Sequence, residues 1–284
     1  MITLSGKSKV YGILGDPVAH SLSPLMHNHA LQSHDINAVY VPFHVAPDAL
    51  AAAVGGLRAL DIAGVNVTIP HKETILSFLD QVDPSAQLIG AVNTVVNNNG
   101  RLIGYNTDAT GFISAVKQEL KFDPAGRKVL ILGAGGACRA AAVALASAGG
   151  RTVTIANRNK SRAEELVHGL EPHFSAVQFV ATDYHDERFF DSLSIADLIV
   201  NTTSVGLHGE DVKFLPLENI KCSALIFDMI YSLTETPLIK NARSKNLLCA
   251  DGLGMLAAQG EEAFYLWTGV RLPAGFMQNV LMSG

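Results

Sequence analysis

The sequence predicts an α/β protein with two domains, and two features of the chain support that prediction. β-branched, strand-like runs alternate with helical segments from Lys9 onward, in the β-α-β-α-β order that builds a mainly parallel sheet with right-handed crossovers. Residues 122–127, FDPAGR, then interrupt the pattern with turn-forming residues, and a new strand starts at Lys128. Because 284 residues suffice for two domains of ordinary size, we expect an N-terminal α/β domain followed by a second one.

Composition narrows the expected ligands to small molecules. The chain carries a net charge of -5 and has no run of Lys and Arg that would displace counterions from a nucleic acid. Cys138, Cys222 and Cys249 form no Cys-x-x-Cys pair, which favours a reducing cytoplasm over a disulfide framework. No apolar segment is long enough for a signal peptide or a membrane-spanning helix. We therefore expect a cytoplasmic protein without nucleic-acid or membrane partners.

The first strand, Lys9–Leu14, leads into the segment GDPVAHSLSP at residues 15–24. Ser23 before Pro24 has the pattern of a helix N-cap followed by proline at the first helical position. The hydroxyls of Ser21 and Ser23, with the amides of that helix N-terminus, can bind an anion such as a carboxylate. A capped helix without a ligand explains the same residues.

A second strand, Ala38–Phe43, and a helix, Pro47–Leu60, come next. The nearby histidines His20, His27 and His29 do not predict a metal site. His27 and His29 are two residues apart, and a helix directs such positions to different sides.

The segment GVNVTIPHK, Gly64–Lys72, predicts a strand that Pro70 ends, so Lys72 follows a strand end. Ligands bind at the carboxyl ends of strands in open α/β sheets, and a lysine there can give or take a proton. The segment GYNTDATG, 104–111, repeats this form, with Asn106, Thr107 and Asp108 as turn and N-cap residues before a helix. We expect Asp108 to be the partner of Lys72, although a solvated lysine and a capping aspartate would fit the same residues.

Short helices are predicted between these two segments at Glu73–Leu79 and Pro84–Ile89. A β-hairpin then joins strands Thr94–Asn97 and Leu102–Tyr105 through a turn at residues 98–100. Asn93 lies at the entrance of the hairpin. Its amide can bind a hydroxyl ligand, and turn chemistry explains an asparagine there as well.

The second domain begins with a nucleotide-binding pattern. Strand Lys128–Leu132 is followed by GAGGACRA, in which Gly133, Gly135 and Gly136 open an Ala-rich helix. Cys138 occupies the usual position of the third glycine. Because a second strand, Thr152–Ala156, follows, we predict a Rossmann-type dinucleotide-binding domain in which residues 133–137 (Gly133, Ala134, Gly135, Gly136 and Ala137) contact the cofactor.

The end of that second strand indicates NADP rather than NAD. A carboxylate there would bind the ribose 2'-hydroxyl of NAD, but the chain has NRNKSR at 157–162 and no carboxylate before Glu164. Arg158 and Arg162 are four apart at a helix start, so both can face one phosphate, with Asn157 beside them. Each hydrogen bond to a charged group contributes about 1.5–3 kcal/mol before desolvation. A solvated basic helix end is the alternative.

The remaining segments supply strands at 177–181, 198–201 and 225–228, and helices at 237–245 and within 251–269. NTTSVGL (201–207) and DMIY (228–231) follow two of the strand ends. Gln259 lies in an otherwise apolar helix. A buried glutamine needs partners, so we expect Gln259 to face a cleft, with exposure to solvent as the alternative.

Together these motifs resemble the shikimate dehydrogenase family, whose members reduce 3-dehydroshikimate to shikimate with NADPH. The resemblance covers nearly the whole chain and rests on motifs in the family's order: GDPVAHSLSP, GVNVTIPHK, GAVNT, GYNTDATG, GAGGACRA, NRNKSRA, NTTSVGL, DMIY and DGLGMLAAQG. His71, Leu207 and Asn159 depart from common family residues, and none of them restores the acidic residue that NAD would need.

The resemblance implies a discontinuous substrate domain, residues 1–108 plus 251–284, a Rossmann-type NADP-binding domain at 109–250, and an active cleft at their seam. It assigns Lys72 and Asp108 as the catalytic pair. It assigns the substrate contacts to Ser21, Ser23, Asn66, Thr68, Asn93, Tyr231 and Gln259. It adds Thr203 and Gly252 to the cofactor contacts, and it leaves a homodimer possible. A quinate/shikimate dehydrogenase using NAD or both cofactors, a folate dehydrogenase of similar plan and a non-enzymatic NADP sensor are the alternatives.

Overall fold

The structure is a computed structural model that describes residues 4–231 and 234–283. The strands are β1 (Lys9–Gly15), β2 (Ala38–His44), β3 (Gly64–Val67), β4 (Gln81–Val82), β5 (Thr94–Asn98), β6 (Arg101–Tyr105), β7 (Lys128–Leu132), β8 (Thr152–Ala156), β9 (Gln178–Thr182), β10 (Leu198–Asn201), β11 (Leu225–Asp228) and β12 (Cys249–Ala250). The fold class is confirmed, since strands and helices alternate along the described chain in two separate sheets.

The α-helices are α1 (Ser23–Ser33), α2 (Leu50–Ala59), α3 (Pro84–Ile89), α4 (Thr107–Glu119), α5 (Gly136–Ser147), α6 (Lys160–Leu170), α7 (Glu187–Ile195), α8 (Pro237–Ser244), α9 (Leu253–Thr268) and α10 (Phe276–Ser283). Short 3₁₀ helices occur at Pro47–Ala49, Thr74–Phe78, Glu171–His173 and Leu217–Asn219. The predicted helix at 73–79 is therefore a tighter 3₁₀ segment, and the first turn of the predicted helix at 47–60 is 3₁₀ as well.

Contacts between residues divide the chain into two units. One comprises Met1–Gly111 and Ala257–Gly284, and the other comprises Phe112–Leu256. The domain boundaries predicted from the sequence, after residues 108 and 250, stay a prediction. The assignment of substrate to one unit and of cofactor to the other stays a prediction.

The first unit contains a six-stranded sheet in the order β2-β1-β3-β5-β6-β4. β1 is parallel to β2 and β3, whereas β5 runs antiparallel to β3 and β6, so the sheet is mixed rather than wholly parallel. β5 and β6 form the predicted hairpin. Asn99 and Gly100 between them both have positive φ, 53° and 88°, as a two-residue hairpin turn requires. Because β1 and β3 are parallel neighbours, their carboxyl ends lie side by side.

The second unit contains a six-stranded sheet in the order β12-β11-β10-β7-β8-β9, and its neighbouring strands are parallel. This is the strand order of a Rossmann fold, which reverses direction at its first strand, β7. β7, β10 and β11 are short apolar runs that are buried on both faces, as central parallel strands are. The turn that follows β7 therefore starts at the switch point, where nucleotides bind in such sheets.

Candidate active site

Lys72 and Asp108 form the centre of the candidate site in the first unit. Lys72 follows β3 beyond Pro70, and Asp108 lies in the first turn of α4. Lys72 Nζ donates to Asp108 Oδ2 at 2.7 Å, and the two side chains are 32% and 19% exposed. Val92 N–H donates to the carbonyl of Lys72 at 2.8 Å, which fixes the backbone that presents the ammonium. The sequence-predicted pair is thus an ion pair that a ligand can still reach.

Asp108 is not needed as a helix cap. Asn106 Oδ1 accepts from the backbone N–H groups of Asp108 and Ala109 at 3.1 and 3.3 Å, so Asn106 caps α4. The capping role considered for Asp108 is therefore wrong. Its carboxylate oxygens bind Lys72 Nζ and Asn93 Nδ2, the latter at 2.9 Å.

Asn93 holds Asp108 in one orientation. The backbone N–H of Thr107 donates to Asn93 Oδ1 at 2.7 Å, and a backbone N–H cannot act as an acceptor. Asn93 Nδ2 must therefore face the other way, toward Asp108 Oδ1. Asn93 is only 2% exposed, so this orientation does not compete with bulk water.

Gln259 in α9 reaches the same cluster. It is 8% exposed, which excludes the solvent-exposed alternative. Its Oε1 accepts from Asn93 Nδ2 and from Thr107 Oγ1, each at 3.4 Å. Three predicted site residues from different parts of the chain, Asn93, Asp108 and Gln259, are thus joined in one polar network with Lys72.

Asn66 in β3 extends the network away from the ion pair. Its Oδ1 accepts from the Tyr40 hydroxyl at 2.8 Å. Its Nδ2 donates to Asn93 O at 3.2 Å and to Thr94 Oγ1 at 3.1 Å. Tyr40 was missed in the sequence, because nothing local distinguishes a tyrosine that packs in a strand from one that serves a site.

The serine segment before α1 has a different capping pattern from the predicted one. The N-cap position is Leu22, and Ser21 Oγ accepts from Ser23 N–H at 3.2 Å. The expectation that Ser23 caps the helix is wrong, because Ser23 is already the first helical residue. Ser23 is buried, Ser21 is half-buried, and Thr68 is half-buried beyond β3.

His71 also supports the candidate site, a role that no local pattern predicts. It is 1% exposed, and its Nε2 donates to the carbonyl of Val45 at 2.7 Å. A carbonyl only accepts, so Nε2 carries a hydrogen. This bond ties the turn that carries Lys72 to the chain just beyond β2.

The glycine-rich turn after β7 in the second unit fits a dinucleotide. Gly133 has φ of 110°, and a Cβ there would lie 2.6 Å from Thr202 Oγ1, so only glycine suits the position. Gly135, Gly136 and Ala137 are exposed at the start of α5, with Ala134 half-buried before them. Exposed N–H groups at a helix N-terminus are the elements that bind a pyrophosphate.

The basic segment after β8 fits the 2'-phosphate of NADP. Arg158 and Arg162 are exposed, and neither forms an ion pair with a described residue. Arg158 precedes the N-cap of α6, Asn159, whose side chain accepts from Ser161 N–H at 3.1 Å. Only Arg162 is helical, because α6 begins at Lys160; that both arginines face one phosphate stays a prediction. Asn157 Nδ2 donates to Asn159 O at 2.8 Å and shapes the turn.

The segments after β10 and β11 are joined by a buried carboxylate. Asp228 accepts from Asn201 Nδ2 at 2.9 Å and from Thr236 Oγ1 at 2.7 Å, and burial raises the pKa of Asp228 above its ordinary value. Thr203 Oγ1 in turn donates to Asn201 Oδ1 at 2.7 Å. Of the other predicted residues, Tyr231 is 40% exposed, and Gly252 lies against Met229 where a side chain would not fit.

Over the described ranges, no three His, Cys, Asp or Glu side chains form a cluster suited to a metal ion. No helix in the same ranges has the length and apolar character needed to cross a membrane.

Comparisons with known proteins identify close relatives. The family model "Shikimate dehydrogenase substrate binding domain" matches residues 13–95, "Shikimate / quinate 5-dehydrogenase" matches residues 115–208, and "Shikimate 5'-dehydrogenase C-terminal domain" matches residues 252–282. A protein of Geobacter metallireducens named shikimate dehydrogenase (NADP(+)) is 47% identical over 280 residues, which cover 99% of this chain and 98% of that protein.

Solved structures show the same similarity across both units. Shikimate 5-dehydrogenase from Listeria monocytogenes, in complex with shikimate and NAD, has a TM-score of 0.91 and 34% identity and covers 98% of each chain. The ligand-free 5-ketofructose reductase of a Gluconobacter strain has a TM-score of 0.88 and 33% identity, covering 98% of this chain and 99% of that one. The fold is thus shared by enzymes named for different substrates.

Proposed function

Because the chain belongs to the shikimate dehydrogenase family, we propose that it catalyses the reversible NADPH-dependent reduction of 3-dehydroshikimate to shikimate, a step toward chorismate and the aromatic amino acids. The observation that carries this proposal is the Lys72–Asp108 ion pair, with 2.7 Å between Nζ and Oδ2. Both residues lie within motifs that resemble those of the family. The 47% identity to a protein named shikimate dehydrogenase (NADP(+)) supports the substrate and the cofactor.

Lys72 acts as the proton donor in the proposed reaction. Bound NADPH supplies a hydride to the carbonyl carbon. As negative charge grows on the carbonyl oxygen, the Lys72 ammonium stabilises that oxygen and gives it a proton. Asp108 holds Nζ in place and, through its second oxygen, is itself held by Asn93. In the reverse direction, the neutral amine takes the proton back from the substrate hydroxyl.

The remaining polar residues of the first unit bind the substrate. Ser21 and Ser23 hold the carboxylate, while Asn66, Thr68, Asn93 and Gln259 bind ring hydroxyls. Tyr231, in the second unit, stays a predicted contact. The polar network joining Asn66, Asn93 and Gln259 supports this assignment, because it fixes the direction in which each amide points.

The second unit binds NADP through two sets of residues. The glycine turn (Gly133, Ala134, Gly135, Gly136 and Ala137) receives the pyrophosphate at the N-terminus of α5. Asn157, Arg158 and Arg162 receive the 2'-phosphate, and Thr203 and Gly252 are further cofactor contacts. Two exposed guanidinium groups without ion-pair partners among the described residues support this choice.

An enzyme that oxidises quinate or uses NAD is the second candidate. The Listeria structure contains NAD, and one matching family is described as shikimate / quinate 5-dehydrogenase. The 5-ketofructose reductase adds a further carbonyl substrate to compare.

Turnover with matched substrates tests the proposal. The absorbance band of the reduced cofactor is followed. Shikimate and quinate are each oxidised with NADP and with NAD, and 5-ketofructose is tested with NADPH in the reductive direction. We expect shikimate with NADP to give the highest kcat/KM. A higher kcat/KM for quinate or 5-ketofructose, or for NAD, would replace the proposal by the corresponding alternative.

We also propose a cytoplasmic location and an association into homodimers. Free Cys138, Cys222 and Cys249 support a reducing compartment. Light scattering of the purified protein at working concentration distinguishes a dimer from a monomer.

A further inference from the structure

Tyr40 in β2 is a buried residue that links two groups of proposed substrate contacts. We propose that Tyr40 is a positioning residue, whose hydroxyl orients the Asn66 side chain toward a substrate hydroxyl; this inference rests on the function proposed above. Tyr40 is 1% exposed and Asn66 is 4% exposed. Because both groups are buried, neither can exchange its hydrogen bond to the other for one to bulk water without a cost in free energy.

The hydrogen bonds of Asn66 define what it can offer a ligand. Its Oδ1 accepts from the Tyr40 hydroxyl at 2.8 Å. Its two Nδ2 hydrogens are directed to Asn93 O and Thr94 Oγ1, at 3.2 and 3.1 Å. The remaining capacity of the amide is the second lone pair of Oδ1. Asn66 is therefore set to accept a hydrogen bond from a ligand hydroxyl rather than to donate one.

Tyr40 itself is held in place by α1. Its backbone N–H donates to Asn28 Oδ1 at 2.9 Å, and its carbonyl accepts from Asn28 Nδ2 at 2.8 Å. Asn28 Nδ2 also donates to the carbonyl of Pro24 at 2.9 Å. The phenol ring stacks on His27, with 4.4 Å between ring centroids and an interplanar angle of 10°. The position of the hydroxyl is thus set by the helix that starts at the serine segment.

The same hydroxyl lies beside Ser23. Burial raises the pKa of Tyr40 well above its ordinary value, and the Ser23 side chain acts in the opposite direction. One phenol oxygen consequently stands between a residue proposed to hold the substrate carboxylate and a residue proposed to accept from a ring hydroxyl. We expect it to set the spacing between these two contacts.

Replacing Tyr40 with phenylalanine removes the donor and keeps the stacked ring. We expect Y40F to raise the KM for shikimate by roughly threefold to tenfold, the scale of one neutral hydrogen bond. The kcat and its pH profile should stay within twofold of wild type, because Tyr40 does not touch Lys72 or Asp108. Tyr11→Phe is the matched control: Tyr11 is also buried, and it stacks on Trp267 with 5.2 Å between centroids. A KM increase of the same size in Y11F, or a fall in kcat alone in Y40F, would overturn the proposal.

Substrate analogues separate positioning from a general structural effect. Dissociation constants of wild type and Y40F are measured for shikimate and for its three singly deoxygenated analogues. If Tyr40 acts through Asn66 on one hydroxyl, the Y40F penalty disappears for the analogue that lacks this hydroxyl and persists for the other two. Equal penalties for all the analogues would contradict a positioning role.

A crystal structure of Y40F keeps this inference separate from the proposed function. If the wild-type protein does not oxidise shikimate, the proposed function fails, and the role of Tyr40 is judged from the Asn66 side chain alone. A rotated Asn66 amide in Y40F supports the role. An Asn66 amide with all its wild-type partners, apart from the missing hydroxyl, overturns it.

Discussion

His27 should make the folded protein sensitive to acid. The ring is 1% exposed and packs between Tyr40 and Trp267, with 4.4 and 5.2 Å between centroids. Neither ring nitrogen has a hydrogen-bond partner among the described residues. Burial without a partner disfavours the charged imidazolium and lowers the pKa of His27 from 6.5 to about 3.

The sign of the effect follows from proton binding in the two states. Below pH 6.5 the unfolded chain binds a proton at His27, whereas the folded protein does so only near pH 3. The free energy of unfolding therefore decreases as the pH falls through this window, by about 1.4 kcal/mol per pH unit. At pH 4 the buried His27 lowers the free energy of unfolding by about 3 kcal/mol. This is a large part of the roughly 5–15 kcal/mol that stabilises a typical domain.

Urea unfolding of wild type and His27→Phe between pH 4 and pH 7 measures this contribution. The single tryptophan reports unfolding by its fluorescence. Carboxylates also titrate in this range, so the informative quantity is the difference between the two proteins at each pH. We expect that difference to change by about 3 kcal/mol across the range in favour of His27→Phe. His29→Phe, which replaces an exposed histidine of the same helix, controls for removing a histidine. Parallel pH curves for wild type and His27→Phe would refute the reasoning.

Three further predictions concern the ion pair, the cofactor and a helix cap. Lys72→Ala should lower kcat by about 10² to 10⁴ with little change in the KM for shikimate; near-normal kcat would remove Lys72 from the mechanism. Replacing both Arg158 and Arg162 with alanine should raise the KM for NADPH at least about tenfold, the equivalent of about 1.4 kcal/mol, and leave the KM for NADH unchanged. A parallel loss with NADH would indicate damage to the fold instead. Asn106→Ala should lower the free energy of unfolding by about 0.5–2 kcal/mol through loss of the α4 cap, measured by urea unfolding, and an unchanged midpoint would show that Asn106 is not the effective cap.

Local patterns predicted the central strands well. β7, β8, β10 and β11 were predicted with the bounds that the structure has, because each is a short run rich in apolar or β-branched residues, as buried parallel strands are. α3 was also predicted with its observed bounds, since Pro84 starts it and Gly90 ends it in a left-handed conformation.

Weaker elements were missed or shifted for physical reasons. The short strands β4 and β12, with two residues each, carry no pattern of their own and exist only through their neighbours. α7 was missed although Asp186 caps it and Phe189 and Leu193 are buried four residues apart, a signal that the sequence did contain. α10 was missed as well. The backbone N–H of Met277 in its first turn donates to Glu261 of α9, 16 residues earlier, so part of what fixes this helix lies outside its own segment.

The sequence by itself determined the α/β class, the glycine turn after β7 and the absence of a carboxylate before Glu164, because each depends on residue types and on spacing along a single segment. Only the tertiary structure decided which side-chain atoms are engaged with one another. Tyr40 and Asn66 are 26 residues apart, and Asn93 and Gln259 are 166 apart. No local pattern specifies such partners, since the direction of a buried amide is set by whichever donors and acceptors the folded chain brings around it.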